Sequence, residues 1–450
     1  MLRRVLELAL PVIVVQLGWM AMGVADTVMT GHLSASALAA VALGNLYFFT
    51  VSIAGWGALM ALDPIIAQAI GAHDDAAVAR GIQRGLLIAA LLSVPIALAL
   101  LVARPVLELL RQPPELIPVA AAYARVCAPG VPALLAFVVA RQSLQAMGRM
   151  TPIVITIVVA NLANVALNWV LIFGELGFPA LGAVGSGWAT TISRWLMAFM
   201  LPVVAWRALR PSLLPLRREA LAVAPLARML HLGIPIGLQW QLEYGAFAVI
   251  GLLMGWLGPQ AMAGHQIALN IASVTFMVPL GFASAAAVLV GQAVGRGDVP
   301  EARHAARVSL ACGAGFMLCT AAVMRLIPGP LARLYSGEME AVVVAATLIP
   351  IAGVFQVFDG TQAVSAGVLR GVGDTRAPLL VNVLGFWLLG MPVSLWLGFR
   401  AGLGAVGLWW GLVVGLAAVA LFLLLRIRSR LARPVRRVMI DEEKEVLSAG

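Results

Sequence analysis

Apolar stretches of about 18 to 28 residues follow one another along nearly the whole chain, and a bilayer core of about 30 Å needs about 20 helical residues to cross. Twelve can be placed, roughly at Leu8 to Thr30, Leu43 to Ile70, Leu86 to Val102, Val119 to Ala140, Ile153 to Phe173, Val184 to Trp206, His231 to Leu257, Ala263 to Val290, Val308 to Met324, Ala341 to Val368, Leu379 to Leu397 and Val406 to Leu425. No long polar domain separates them. With 62% of 450 residues hydrophobic and only 11% charged, lipid has to supply the solvent for the apolar surface. The reading is an all-α integral membrane protein of about twelve transmembrane helices.

Arg3 and Arg4 precede the first stretch as in a signal peptide, but the stretch contains Asp26 and is too long for a cleavable apolar core, so it reads as a permanent helix. Assigning alternate loops to opposite sides gathers about 23 of the 30 basic residues on one side, which the positive-inside rule names cytoplasmic. Both termini fall there, Arg3 and Arg4 at one end and the Arg426 to Arg437 run at the other. Topology thus accounts for the net charge of +10; the arginines stand in short loops without interleaved aromatics, unlike a nucleic-acid surface. The final basic run suits anionic lipid. Cys127, Cys312 and Cys319 all fall in apolar segments, implying neither a disulfide framework nor a metal site.

The chain also repeats itself. Ala67 to Asp74 (AQAIGAHD) recurs about 224 residues later as Gly291 to Asp298 (GQAVGRGD), and Pro11, Gly31 and Leu33 meet Pro235, Gly255 and Leu257 at the same offset. Leu144 to Pro152 (LQAMGRMTP) returns as Leu369 to Pro378 (LRGVGDTRAP) with one inserted residue, and Leu181 to Gly185 (LGAVG) as Leu403 to Gly407. Two six-helix halves follow, residues 1–206 and 231–425, joined by a basic connector at 207–230 and followed by a charged tail at 426–450. An even number of helices per half gives both copies the same orientation, related by an axis along the membrane normal, with the substrate site expected in the cleft between them.

These residues closely resemble the multidrug and toxic compound extrusion (MATE) family, especially its NorM-like bacterial branch, from about Leu8 to Leu425. Besides the repeated blocks, the resemblance is carried by VADTVMTGHL at Val24 to Leu33, LNWVLIFG at Leu167 to Gly174, LGAVGSGWAT at Leu181 to Thr190, GHQIALN at Gly264 to Asn270 and the stretch ending at Asp298. It implies a multidrug efflux antiporter of a bacterial inner membrane, a monomer that expels organic cations in exchange for protons or sodium by alternating access and needs no bound cofactor.

Carboxylates inside the segments are the physical pointer to chemistry, since each costs roughly 2.5 to 3.5 kcal/mol at a helix centre on insertion scales. There are four: Asp26, Asp63, Glu243 and Asp359. Glu243 lies about twelve residues into the seventh segment, near the bilayer midplane. In the resembled family an acid at the matching place binds cations, and Asp359 matches its second coupling carboxylate. Together they would ligate sodium if sodium is the coupling ion, although the tyrosine that sodium-coupled relatives often carry a turn before this Asp is Phe355 here. The matching acid to Asp26 is often placed in coupling or substrate binding, and Asn164 and Asn168, one turn apart on one helix face, are candidate partners for it. Asp63 is less typical of the family; beside Pro64 it is expected in the cytoplasmic half of its helix, facing water. Tyr244, with Trp240, Phe247, Phe276 and Phe355, offers aromatic faces to an organic cation, and Gln266 and Asn270 are further polar candidates. Each also has a plainer reading in helix packing or capping.

The rival transport reading is a lipid-linked saccharide flippase of similar architecture, which would gather arginines in its cavity; only Arg125 and Arg194 fall within segments by this reading. A pump with its own ATP site is excluded because a GxxxxGK[ST] loop needs a lysine and Lys444 in the tail is the only one. HExxH and GxSxG are absent, so the chain does not read as an enzyme.

Overall fold

The computed structural model describes residues 1–441; the end of the charged tail, 442–450, lies outside the described residues. Twelve helical spans follow in order: α1 Leu2–Gly31, α2 Ala35–Gly71, α3 Asp75–Leu101, α4 Ile117–Cys127 with Gly130–Ala146, α5 Thr151–Phe173, α6 Ala183–Val204, α7 Val223–Trp256, α8 Pro259–Gly295, α9 Val299–Leu326, α10 Met339–Gly371, α11 Arg376–Arg400 and α12 Gly404–Ala432. Among the described residues nine helices are long and apolar enough to cross a membrane, or up to eleven if α4, bent by 50°, and α6 with the short helix after it are each taken as one span. A short helix, Trp206–Leu213, turns away from α6 by 90°. Its length would carry α7 across as well, but Gln239, Gln241 and Glu243 interrupt its apolar run.

The helices outrun the apolar stretches because hydropathy registers only the part in lipid, while caps carry the backbone beyond it. Asp74 and Asp298 begin α3 and α9 by accepting hydrogen bonds from Ala77 N (2.9 Å) and Glu301 N (2.8 Å). Just before them, His73 and Gly297 stand at φ 56° and 76°, so AQAIGAHD and GQAVGRGD are equivalent turn-and-cap units. The end of the second half is likewise longer than expected: residues 426–432, read as tail, continue α12.

Each half encloses its own hydrophobic core, around Trp409 and Phe355 in the second half and around Phe48, Tyr123 and Leu135 in the first. The halves meet through α1 with α8 and α2 with α7 and α8. The repeated motifs form this seam reciprocally. A Cβ at Gly71 would lie 2.1 Å from Gln292 O, and a Cβ at Gly295, its repeat counterpart, 2.1 Å from Gln68 O. The amide of Gln68 donates to Gly371 O (2.8 Å), and that of Gln292 to Ala146 O (2.9 Å), again counterparts. Only glycine permits backbones so close.

These ties lie on the arginine-rich side. There the segment after α12 crosses to the first half, where Asp441 pairs with Arg80 (2.7 Å) and Arg84 (2.6 Å), Arg437 with Asp74 (2.9 Å), and Val438 N donates to Gln68. Toward the other side the halves part. Val24, Val28 and Val274 are about half exposed along an apolar groove of about 620 Å³ between α1, α5 and α8.

Candidate functional site

In the second half, Glu243 of α7, Gln362 of α10 and Asn382 of α11 converge. Glu243 Oε2 accepts from Gln362 Nε2 (3.1 Å) and from Asn382 Nδ2 (3.2 Å). Local structure aims both donors. Gln362 shares a face of α10 with Asp359, one turn away. Asn382 immediately precedes a π-helical stretch, Val383–Gly390, a widened turn of the kind that often marks functional sites.

Asp359 is 6% exposed and close enough to Glu243 for the two carboxyls to repel, while its Oδ1 has no hydrogen-bond partner among the described residues. It does not line the cavity itself but stands behind the wall that Gln362 presents. Glu243 opens onto that cavity of about 250 Å³, bordered by Trp240, Tyr244, Phe247 and Phe276, by Ile53 of the first half, and at its inner end by Arg370. Tyr244 also reaches the Thr50 hydroxyl of α2, across the divide between the halves. Phe355 sits deeper, 1% exposed, edge-on to Phe247 (5.8 Å) and Trp409 (5.7 Å), and serves as the floor behind the aromatic wall. Trp240 continues through Trp56 (6.3 Å) to Trp19 (5.5 Å), so aromatic faces run from the cavity into the first half.

The first half holds a second polar cluster. Asp26 Oδ1 accepts from Asn168 Nδ2 (2.6 Å) and Oδ2 from Thr190 Oγ1 (2.8 Å), while Asn168 also donates to Asn164 Oδ1 (3.1 Å). Asp26 thus meets both predicted asparagines' network and, in addition, Thr190. Arg194 lies within electrostatic range of it, its guanidinium 4.0 Å over the Phe48 ring.

Three expectations need correction. Asp63 does not face water: it is 1% exposed, receives a hydrogen bond from Gln142 Nε2 (2.8 Å) and lies 3.7 Å from Arg370 Nη1 of the other half. The break in α2 between Leu59 and Leu62 turns it into the seam. Gln266 and Asn270 do not reach the Glu243 cavity; both are exposed on the face of α8 that carries Val274 toward the apolar groove, and Asn270 bonds back to Gln266 O (2.9 Å). Arg125 is exposed on its helix, whereas Arg84, Arg141 and Arg370 join Arg194 as buried arginines within helices. Sequence reasoning missed Gln362, Asn382 and Thr190, since nothing in spacing ties an amide or hydroxyl to an acid more than a hundred residues away.

Two repeated six-helix bundles, each with an acid inside its helices held by amide or hydroxyl donors, form a polytopic membrane transporter architecture. Family comparison assigns it further: the MatE family model matches residues 11–170 and 235–396, and the chain belongs to this family of multidrug efflux transporters. It is 36% identical over 441 residues to the multidrug resistance protein MdtK of Edwardsiella ictaluri (strain 93-146), covering 96% of each chain. It is 38% identical over 410 residues to the multidrug resistance protein NorM of Burkholderia vietnamiensis, covering 89% of this chain and 88% of the relative. Among solved structures, an outward-facing multidrug resistance MATE transporter of the MOP superfamily superposes with a TM-score of 0.88 over 96% of each chain at 19% identity. The eukaryotic MATE transporter AtDTX14 does so with 0.86 over 95% of this chain and 98% of that one, at 23% identity. At these identities the structural likenesses speak to fold.

Proposed function

We propose that this protein exports lipophilic organic cations across a bacterial inner membrane in exchange for protons or sodium ions, with Glu243 and Asp359 as the exchanging groups and the arginine-rich side toward the cytoplasm. The observation that carries this reading is a buried Asp359 within electrostatic range of Glu243, its Oδ1 without a hydrogen-bond partner among the described residues. Two carboxyls within electrostatic range of each other inside an apolar bundle favour one compensating positive charge. The cation at the cavity's inner end, Arg370, is committed to Asp63. The compensating charge can therefore be a proton, a sodium ion or a cationic substrate, and only one at a time, which is the condition for antiport.

Aromatic walls supply roughly 0.5 to 2 kcal/mol per ring to an organic cation. The ion gradient suffices energetically: one charge crossing 100 mV yields about 2.3 kcal/mol, enough to sustain roughly a fiftyfold concentration ratio. On this reading, a conformation with the halves joined on the arginine-rich side and open on the other is the one that releases the cation. Arg125 and Arg194 stand away from this cavity, and the one arginine that borders it, Arg370, is paired with Asp63.

Binding of tetraphenylphosphonium to purified protein, with proton release followed in weak buffer, tests the reading. Glu243→Gln and Asp359→Asn are each expected to weaken binding about tenfold or more and to abolish proton release if the proton is the counter-ion; unchanged binding in both rejects the site.

A further inference from the structure

We propose that Asp63 and Arg370 form a charge bolt between the two halves, one that closes the arginine-rich side and ties that closure to the carboxylate cavity. The proposal rests on the reading of the cavity given above and adds a part that the exchange itself does not use.

Asp63, like Asp26, takes no part in the exchange, and it is the most deeply buried of the four intramembrane acids. Its environment is built from both halves: Arg370 Nη1 at 3.7 Å from α10, Gln142 Nε2 donating at 2.8 Å from α4, and Arg141 within electrostatic range from the same helix. The seam around it is closely packed by the glycine contacts of the repeated motifs. The bolt also breaks the internal symmetry. At the repeat offsets, the counterparts of Asp63 and Arg370 are Ala287 and Gln145, an uncharged pair. Duplication therefore accounts for the seam but not for the ion pair, which one side alone carries.

Position gives the pair its second function. Arg370 lies eight residues beyond Gln362 on α10, so one rigid helix carries the donor to Glu243 and the cation of the bolt, and Arg370 itself borders the cavity. Whatever moves α10 when the cavity fills moves Arg370 against Asp63. A buried charge deprived of its partner is strongly disfavoured, whereas two charges released into water together are not. The seam is thereby stable either closed with the pair made or open with both groups hydrated. Half-made states are suppressed.

The test measures the seam directly. Spin labels at Asp75 and His304, exposed positions at the starts of α3 and α9 in opposite halves, report the distance across the arginine-rich side in full-length protein lacking Cys127, Cys312 and Cys319. Asp63→Asn leaves Arg370 buried and unpaired and is expected to raise the ratio of open to closed populations by about tenfold or more. Arg370→Gln should do less, because Gln142 and Arg141 still accompany Asp63. The double variant should fall back below Asp63→Asn alone. Asp63→Thr substitutes for Asp63→Asn if the latter does not purify folded. Unchanged distances in Asp63→Asn, or a double variant whose effect is the product of the two single ones, overturns the bolt. Unweakened tetraphenylphosphonium binding by both Glu243→Gln and Asp359→Asn overturns the cavity reading, and the distance assay separates the two failures.

Discussion

Replacing Gly237 with alanine places one methyl group where the seam has no room. A Cβ there would stand 2.2 Å from Ala54 O, 3.0 Å from Ala54 C and 3.2 Å from Ala58 N, all backbone atoms of α2. Ordinary carbon to oxygen contact needs roughly 3.2 Å or more, so the helices must part by about 1 Å at this point. Since no side chain can swing aside, the cost stays clear of the low end of the roughly 1 to 3 kcal/mol range for overpacking, at about 2 kcal/mol. It falls on the closed seam and not on the open one, which at 1.36 kcal/mol per decade shifts the open to closed ratio roughly thirtyfold. Gly251→Ala is the control. It lies on the same helix with nothing within 4 Å of its added Cβ, so it carries the gain in helix propensity without the clash. The Asp75 to His304 spin-label distance should lengthen in Gly237→Ala and not in Gly251→Ala; equal behaviour of the two would refute the claim that backbone contact at the seam sets the conformation.

Three further outcomes follow from the same geometry. Gln362→Ala with Asn382→Ala strips Glu243 of both donors and is expected to slow cation transport about tenfold at unchanged protein level, measured in vesicles. Asp26→Ala removes the acceptor of Asn168 and Thr190 and leaves Arg194 without its nearby acid, so thermal unfolding in detergent should show a loss of about 2 kcal/mol. Burial works to raise Asp441, but hydrogen bonds from Arg84 and Arg80 outweigh it and hold it below the usual carboxylate range; Asp74 is likewise held low against its burial by its cap to Ala77 and by Arg437. Carboxylates depressed in the fold contribute their ties above the ordinary value near 3.9 and lose them as pH falls through the lower folded values. The crossing segment should therefore stay docked at pH 7 and at pH 5 and release only below about pH 4, as read by an environment-sensitive dye at Met439→Cys.

The features that lipid and duplication impose were legible in the chain. The spans were countable, nine to eleven of the twelve expected meeting the length and apolarity of a membrane helix among the described residues, and the halves were countable because motifs at the seam recur at a fixed offset. Glu243 and Asp359 announced themselves by their cost in an apolar segment, and Asp26 came with its asparagines because Asn164 and Asn168 share a helix face. What escaped was whatever depends on how distant helices pack, both between the halves and within one of them. Asp63 reads as a water-facing residue near a proline until the break in α2 turns it toward Arg370. Gln266 and Asn270 share a polar pattern with cavity residues but occupy the groove-facing side of α8. Gln362 and Asn382 are ordinary amides until α10 and the widened turn of α11 aim them at one oxygen.

The measurement that tests the central claim most directly is uptake of a fluorescent lipophilic cation into inverted membrane vesicles, driven separately by a proton and by a sodium gradient, for the wild type and Glu243→Gln. Uptake under one of the two gradients, lost in Glu243→Gln at equal protein level, is the predicted result and identifies the coupling ion. Uptake that persists in Glu243→Gln, or none under either gradient with folded wild-type protein, would contradict the assignment of the carboxylate pair as the site of exchange.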